Sequence, residues 1–256
     1  MATSLFNLEG KVALVTGGNG GIGLGMAEAM AEAGADVCIW GRNEEKNEAA
    51  AKKLKKYDRR VLALKCDVAD EQQVEECFAK TVATLGMVTT CFANAAISPR
   101  TTPFHKMTIE EWRSVFNINM EGVFYTFRAA IRHMIDDKIT GSLIATSSIA
   151  AVSGQPRGEH YASTKAGLTA LIRSLSVEYA RYNIRANAIL PGFIDTEMIA
   201  LEEADEKVKM AVMQRIPQRR WGVPKDFGPI AVYFASDASA YHTGDSVIID
   251  GGYLRF

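Results

Sequence analysis

Two residues one helical turn apart carry the strongest chemical signal in this chain. In Tyr161-Ala-Ser-Thr-Lys165 the i, i+4 spacing puts a phenol and an ammonium on one helix face. A phenol ordinarily titrates near ~10, and a neighbouring ammonium favours its ionised form. Such a tyrosine can give a proton to a carbonyl oxygen, or take one from an alcohol, near neutral pH. Ser147 and Ser148 stand shortly upstream, just past a predicted strand. Either hydroxyl could hydrogen-bond the reacting oxygen and share its developing charge. Asn117 and Asn119 fall inside a long predicted helix. Asparagine is unfavourable there because its amide competes for backbone groups, so a role for one of them is expected.

A second signal lies near the start. Lys11 to Thr16 reads as a buried strand, Gly17-Gly-Asn-Gly-Gly-Ile-Gly23 follows, and a helix runs on to about Ala33. A helix N-terminus offers unpaired N–H groups and partial positive charge. Glycines let backbone approach a pyrophosphate without a Cβ in the way. Gly17, Gly21, Ile22 and Gly23 are therefore expected to hold a dinucleotide. The next strand, Asp36 to Trp40, ends at Gly41-Arg42. An acidic residue at that strand end would bond a ribose 2′-hydroxyl and select NAD. Gly41 has no carboxylate, and the Arg42 guanidinium suits a 2′-phosphate. The expectation is NADP(H), with Asn19 adding an amide contact. NAD(H) stays open, because the glycine loop carries no basic residue.

The elements that must position these groups alternate regularly. Further strands are expected at Val61–Lys65, Val88–Ala93, Ser142–Thr146, Ile184–Leu190 and Val247–Ile249. Helices are expected at Glu44–Lys56, Glu71–Leu85, Thr108–Asp136 and Gly158–Tyr182. Asn43 suits the cap of the first of these, and Thr108-Ile-Glu-Glu111 fits a capping box. Alternating strands and helices imply right-handed crossovers and a parallel sheet covered on both faces. The fold class is α/β, a Rossmann-like doubly wound sheet. The segment from Thr196 to about Met213 breaks the rhythm and is expected to cover a site.

The composition excludes several classes. The chain has 256 residues, 48% of them hydrophobic, and a formal net charge of −1. With a pI near 6.5, the near-neutral balance gives no electrostatic reason to expect nucleic acid or a membrane surface. No run approaches a membrane span, and no targeting segment is expected from the opening residues Met1 to Gly10. Cys38, Cys66, Cys77 and Cys91 lack metal-ligand spacing. They read as reduced, mostly buried thiols of a cytoplasmic protein.

Taken together, these motifs resemble the short-chain dehydrogenase/reductase family, in its compact one-domain form. The resemblance runs from Leu8-Glu-Gly-Lys11 to Asp250-Gly-Gly252. It implies a cofactor-binding part over about 8–146 and a catalytic and substrate-binding part over about 147–256, with a lid-like excursion near 194–215. It implies Tyr161 as general acid/base, Lys165 on the nicotinamide ribose, Ser148 rather than Ser147 on the substrate oxygen, and Asn119 supporting a water chain to the lysine. Asp67 and Val68 would meet the adenine, and Asn94 would steady the sheet. Pro191, Gly192, Ile194 and Thr196 would line the nicotinamide. Where the family often reads Asn-Asn-Ala-Gly, this chain has Ala93-Asn-Ala-Ala96, and an ordinary backbone is expected at Ala96. A homotetramer is implied, with helices Thr108–Asp136 and Gly158–Tyr182 at one interface and Val247 to Phe256 at another.

The implied activity is interconversion of a ketone and a secondary alcohol with NADP(H). The alternatives are a sugar-acid or polyol dehydrogenase oxidising with NAD(H), and a dinucleotide-binding sensor without turnover. Ala150, Ala151, Val152, Pro156, Phe193, Met198, Ile199, Met210 and Met213 are candidates for the substrate lining. They form an apolar, methionine-rich set that could adapt to several shapes. Arg100 and Arg157 leave an anionic substrate open. His160, beside Tyr161, should turn away from it.

Overall fold

The chain is described here by a computed structural model covering residues 5–98, 102–198 and 205–255. The sequence candidates Arg100 and Ile199 lie outside these residues. Seven strands form one parallel sheet: β1 (Val12–Thr16), β2 (Asp36–Gly41), β3 (Val61–Lys65), β4 (Val88–Ala93), β5 (Gly141–Thr146), β6 (Ile184–Pro191) and β7 (Ser246–Ile249). Their order is β3-β2-β1-β4-β5-β6-β7. Every neighbouring pair is parallel.

The central strands read as apolar runs because helices bury both faces. Along β1, Val12 and Leu14 enter one core, while Ala13 and Val15 enter the other. The first core packs under α3 (Glu71–Leu85), α5 (Gly122–Asp136) and α6 (Glu159–Glu178), through Phe78, Phe127, Leu168 and Ile172. The second packs under α1 (Gly21–Glu32), α2 (Glu44–Leu54) and α8 (Gly228–Ala235), through Met26, Met30, Leu54 and Phe234. The chain order reverses between β1 and β4, so the crossovers leave that junction in opposite directions. A crevice opens at the carboxyl ends of the strands there, where ligands of such sheets bind.

Local signals explain most boundaries. Asn43 caps α2 by accepting from the Lys46 amide at 3.0 Å. Thr108 and Glu111 form the expected capping box. The single helix expected over 108–136 is α4 (Ile109–Phe116), a π-helical turn (Asn117–Glu121) and α5. The helix expected to reach Tyr182 ends at Glu178 and closes in a 3₁₀ turn, Ala180–Tyr182. Ala96 is not among the residues with positive φ, so its backbone is ordinary, as expected. In the excursion, α7 (Glu206–Arg215) is the helix among the described residues.

Candidate active site

One cleft of about 670 Å³ follows the carboxyl ends of the strands, from Arg42 and Asp67 after β2 and β3 to Phe193 after β6. At its centre the glycine loop turns β1 into α1. The N-terminus of α1 has no side-chain cap and no acidic residue in its first turn, which leaves its backbone donors and partial positive charge for an anion. Gly17, Asn19, Gly21 and Ile22 line the cleft. Gly23 does not; it packs beneath the loop, where a Cβ would come within 2.3 Å of the Gly17 carbonyl oxygen.

Asn94 ties the loop to the sheet. Its side-chain N–H groups donate to the carbonyls of Thr16 at 3.1 Å and Gly17 at 3.3 Å, and its backbone N–H donates to the Thr16 hydroxyl at 3.0 Å. At the β2 end, Asn47 donates to the Gly41 carbonyl at 2.9 Å and accepts from Asn19 at 2.7 Å. A Cβ at Gly41 would lie 2.1 Å from the Asn19 amide nitrogen. A side chain at this strand end would therefore have to displace the Asn19 and Asn47 amides, and Gly41 itself offers no carboxylate to a ribose hydroxyl. Arg42 is exposed at the cleft edge. Asp67 is held beside it, accepting from the Ala69 amide at 3.1 Å, with Val68 next in the lining.

The other half of the cleft brings Ser148, Tyr161 and Lys165 together. The two serines take opposite tasks. Ser147 is buried, and its hydroxyl donates to the Lys165 carbonyl at 2.7 Å. The Ser148 hydroxyl accepts from the Ala150 amide at 3.1 Å, which caps a short 3₁₀ turn (Ile149–Ala151). Lys165 extends under Tyr161, with its Nζ 5.5 Å from the ring centre, and donates to the Thr146 carbonyl at 2.7 Å. Burial disfavours the ammonium and pushes its pKa down from 10.5 to about 7. An ammonium has three donors, and only the Thr146 carbonyl accepts from it among the described residues.

Asn119 does not line the cleft. It is fully buried in the π-helical turn. It accepts from the Ile97 amide at 2.9 Å, donates to the Ile97 carbonyl at 3.0 Å, and donates to the Thr164 hydroxyl at 3.3 Å. Both amide hydrogens are thereby used in fastening the loop after β4 to the helix that carries Tyr161 and Lys165. Asn117 is exposed. His160 is also buried away from the cleft, and its Nδ1 accepts from the Tyr161 amide at 2.9 Å.

Pro191, Gly192, Ile194 and Thr196 line the cleft, as do Ala150, Pro156, Phe193 and Met198. Ala151, Val152, Met210, Met213 and Arg157 do not. Met213 packs against the small cluster of Val212, Ile216 and Trp221, and Met210 is exposed. The methionine-rich lining expected from the sequence thus shrinks to Met198 among the described residues. Arg215 and Tyr253 line the cleft without having been foreseen. A last-turn arginine and a tyrosine near the C-terminus carry no local pattern that marks them.

Comparison with known proteins agrees with this geometry. The family model described as Enoyl-(Acyl carrier protein) reductase matches residues 17–254. A 3-oxoacyl-[acyl-carrier-protein] reductase of Chlamydia pneumoniae is 37% identical over 245 residues, covering 96% of this chain and 97% of its own. A 2-dehydro-3-deoxy-D-gluconate 5-dehydrogenase of Dickeya dadantii is 35% identical over 254 residues, 99% of each chain. Among solved structures, a gluconate 5-dehydrogenase of Burkholderia cenocepacia, in complex with NADP and tartrate, superposes with a TM-score of 0.94 at 32% identity, covering 100% of both chains. The chain belongs to the short-chain dehydrogenase/reductase family. It is an oxidoreductase that uses a nicotinamide dinucleotide on carbonyl or alcohol groups.

Proposed function

We propose that this chain interconverts a ketone and a secondary alcohol, with NADP(H) as its preferred dinucleotide. The observation that carries the chemistry is the convergence of Ser148, Tyr161 and Lys165 on one cleft. The bound dinucleotide supplies or accepts the hydride. In the reductive direction, the Ser148 hydroxyl and the Tyr161 phenol both hydrogen-bond the carbonyl oxygen. Tyr161 gives up its proton as the alkoxide forms, and the nearby Lys165 ammonium stabilises the phenolate left behind. Lys165 has donors beyond the one given to Thr146, and these suit ribose hydroxyls. Asn119 acts as a positioning residue, holding the loop after β4 at Ile97 against α6. Any water relay to Lys165 uses groups other than its two amide hydrogens.

The dinucleotide preference rests on Gly41 and Arg42. Gly41 carries no carboxylate for a ribose 2′-hydroxyl, and the guanidinium at the cleft edge offers a bidentate phosphate contact. Asp67 and Val68 suit the adenine, and Pro191, Gly192, Ile194 and Thr196 suit the nicotinamide. The relatives include both an acyl-carrier-protein reductase and sugar-acid dehydrogenases at similar identity, so identity alone does not set the direction. Initial rates with NADPH and NADH over a panel of ketones, and with both oxidised forms over alcohols, test the reading. Faster NADPH-linked ketone reduction supports it; turnover restricted to NAD-linked alcohol oxidation contradicts it.

A homotetramer fits the surface. Phe124 on α5 is half exposed and Val177 on α6 is 81% exposed, as expected for helices that meet partners, and the C-terminal turn would pack at a second interface. Light scattering on a sizing column tests this, and a clean monomer contradicts it. Four free thiols fit a reducing compartment such as the cytoplasm. No helix among the described residues is long and apolar enough to cross a membrane.

A further inference from the structure

Three cationic side chains line the cleft among the described residues: Arg42, Lys165 and Arg215. Arg42 stands past β2, and Lys165 lies under Tyr161 in the middle. Arg215 closes α7 at the opposite end from Arg42, beyond β6. Its guanidinium lies 4.2 Å from the centre of the Tyr253 ring and donates to the Tyr253 hydroxyl at 2.8 Å. The ring in turn packs on Phe193, at 5.0 Å between centroids, and Phe193 directly follows Gly192 at the end of β6. Asp250 fixes the turn that carries Tyr253, accepting from the Gly252 amide at 2.8 Å and the Leu254 amide at 2.9 Å.

An arginine in the last turn of a helix has an ordinary explanation, because it complements the helix dipole. Here that explanation is weakened. The Gln214 carbonyl is met by Arg219, and Arg215 reaches across to the C-terminal turn instead. No carboxylate pairs with Arg215 among the described residues, and Glu197, which also lines the cleft, pairs with Lys46 in the first turn of α2. The result is an aromatic-backed guanidinium that lines the cleft and is paired with no carboxylate among the described residues. A guanidinium in a fixed plane matches a carboxylate bidentately.

We propose that Arg215, oriented by Tyr253, binds a carboxylate of the substrate, so that the substrates of this site are hydroxy acids and oxo acids. This rests on the carbonyl–alcohol reading above. The other anion the cleft could receive is a dinucleotide phosphate, and the groups suited to one are Arg42 past β2 and the α1 N-terminus at the centre of the cleft.

The test compares pyruvate, acetoacetate and levulinate with their methyl esters, in the wild type and in Arg215→Ala, Arg215→Lys and Tyr253→Phe. The ratio of kcat/KM for acid over ester should fall by about 10- to 100-fold in Arg215→Ala, mainly through KM. It should recover in part in Arg215→Lys and fall by a few-fold in Tyr253→Phe. The Kd for NADPH, read by fluorescence, should stay within about two-fold in all three. An acid-to-ester ratio near unity in the wild type, or one unchanged by Arg215→Ala, overturns the carboxylate anchor while leaving the carbonyl chemistry standing. A Kd for NADPH that rises as much as the KM of the acid assigns Arg215 to the dinucleotide and also overturns it. Absence of turnover with every acid and ester, despite NADPH binding, counts against the carbonyl reading itself and removes the anchor with it.

Discussion

Lys165 Nζ lies 5.5 Å from the centre of the Tyr161 ring and is held there by the Thr146 carbonyl at 2.7 Å. The sheet thus aims the ammonium at the phenol from below, through the last residue of β5. The same burial that fixes the distance makes the charge costly.

That cost predicts how stability changes with pH. The folded pKa of Lys165, about 7, lies below its ordinary 10.5. Between these values the unfolded chain binds more protons than the folded one at this residue, so its contribution to stability rises with pH across that window. Urea midpoints measured from pH 7 to 9 should rise in the wild type relative to Lys165→Met, whose profile lacks this component. Parallel profiles for the two proteins would show that the buried lysine keeps an ordinary affinity for protons.

Ser147 and Ser148 should separate cleanly. Ser148→Ala removes a hydroxyl aimed into the cleft, and turnover should fall by about 10²- to 10³-fold with little change in melting temperature. Ser147→Ala removes the donor to the buried Lys165 carbonyl and should cost about 1–3 kcal/mol of stability. Kinetics and thermal melts on both variants check this, and the reverse pattern would exchange their roles.

Arg42→Ala should weaken NADPH binding by about 10- to 100-fold, the worth of a charge-assisted contact, and change NADH binding by less than about three-fold. Titration of nicotinamide fluorescence measures both. Equal losses for the two dinucleotides would make Arg42 a general electrostatic residue.

Much of this site could be read from the sequence, for physical reasons. A parallel strand buried on both faces is an apolar run, so Lys11 to Thr16 and its glycine loop were plain, as was the i, i+4 pair Tyr161 and Lys165. Asn119 was marked by its poor fit to a helix interior, but the π-helical turn that accommodates it was not, because no periodicity signals one extra residue per turn. Ser147 and Ser148 are chemically identical neighbours, and only the direction in which each leaves β5 separates them. Met210 and Met213 suit a core face and a cleft face equally well in a pattern. The bounds of α8 are not legible because it is short and carries Gly228 and Pro229 in its first turn. Arg215 resembles any last-turn cation until Tyr253, distant in sequence, is placed beneath it.

The most direct test of the account is the Tyr161→Phe variant, assayed for NADPH-linked ketone reduction and for NADPH binding in the same preparation. The phenol is assigned the proton transfer, and the dinucleotide is held mainly by other groups. Turnover should therefore fall by at least about 10²- to 10⁴-fold, while the Kd for NADPH stays within about three-fold. Turnover retained within about ten-fold of the wild type would contradict the assignment of Tyr161 as the acid/base.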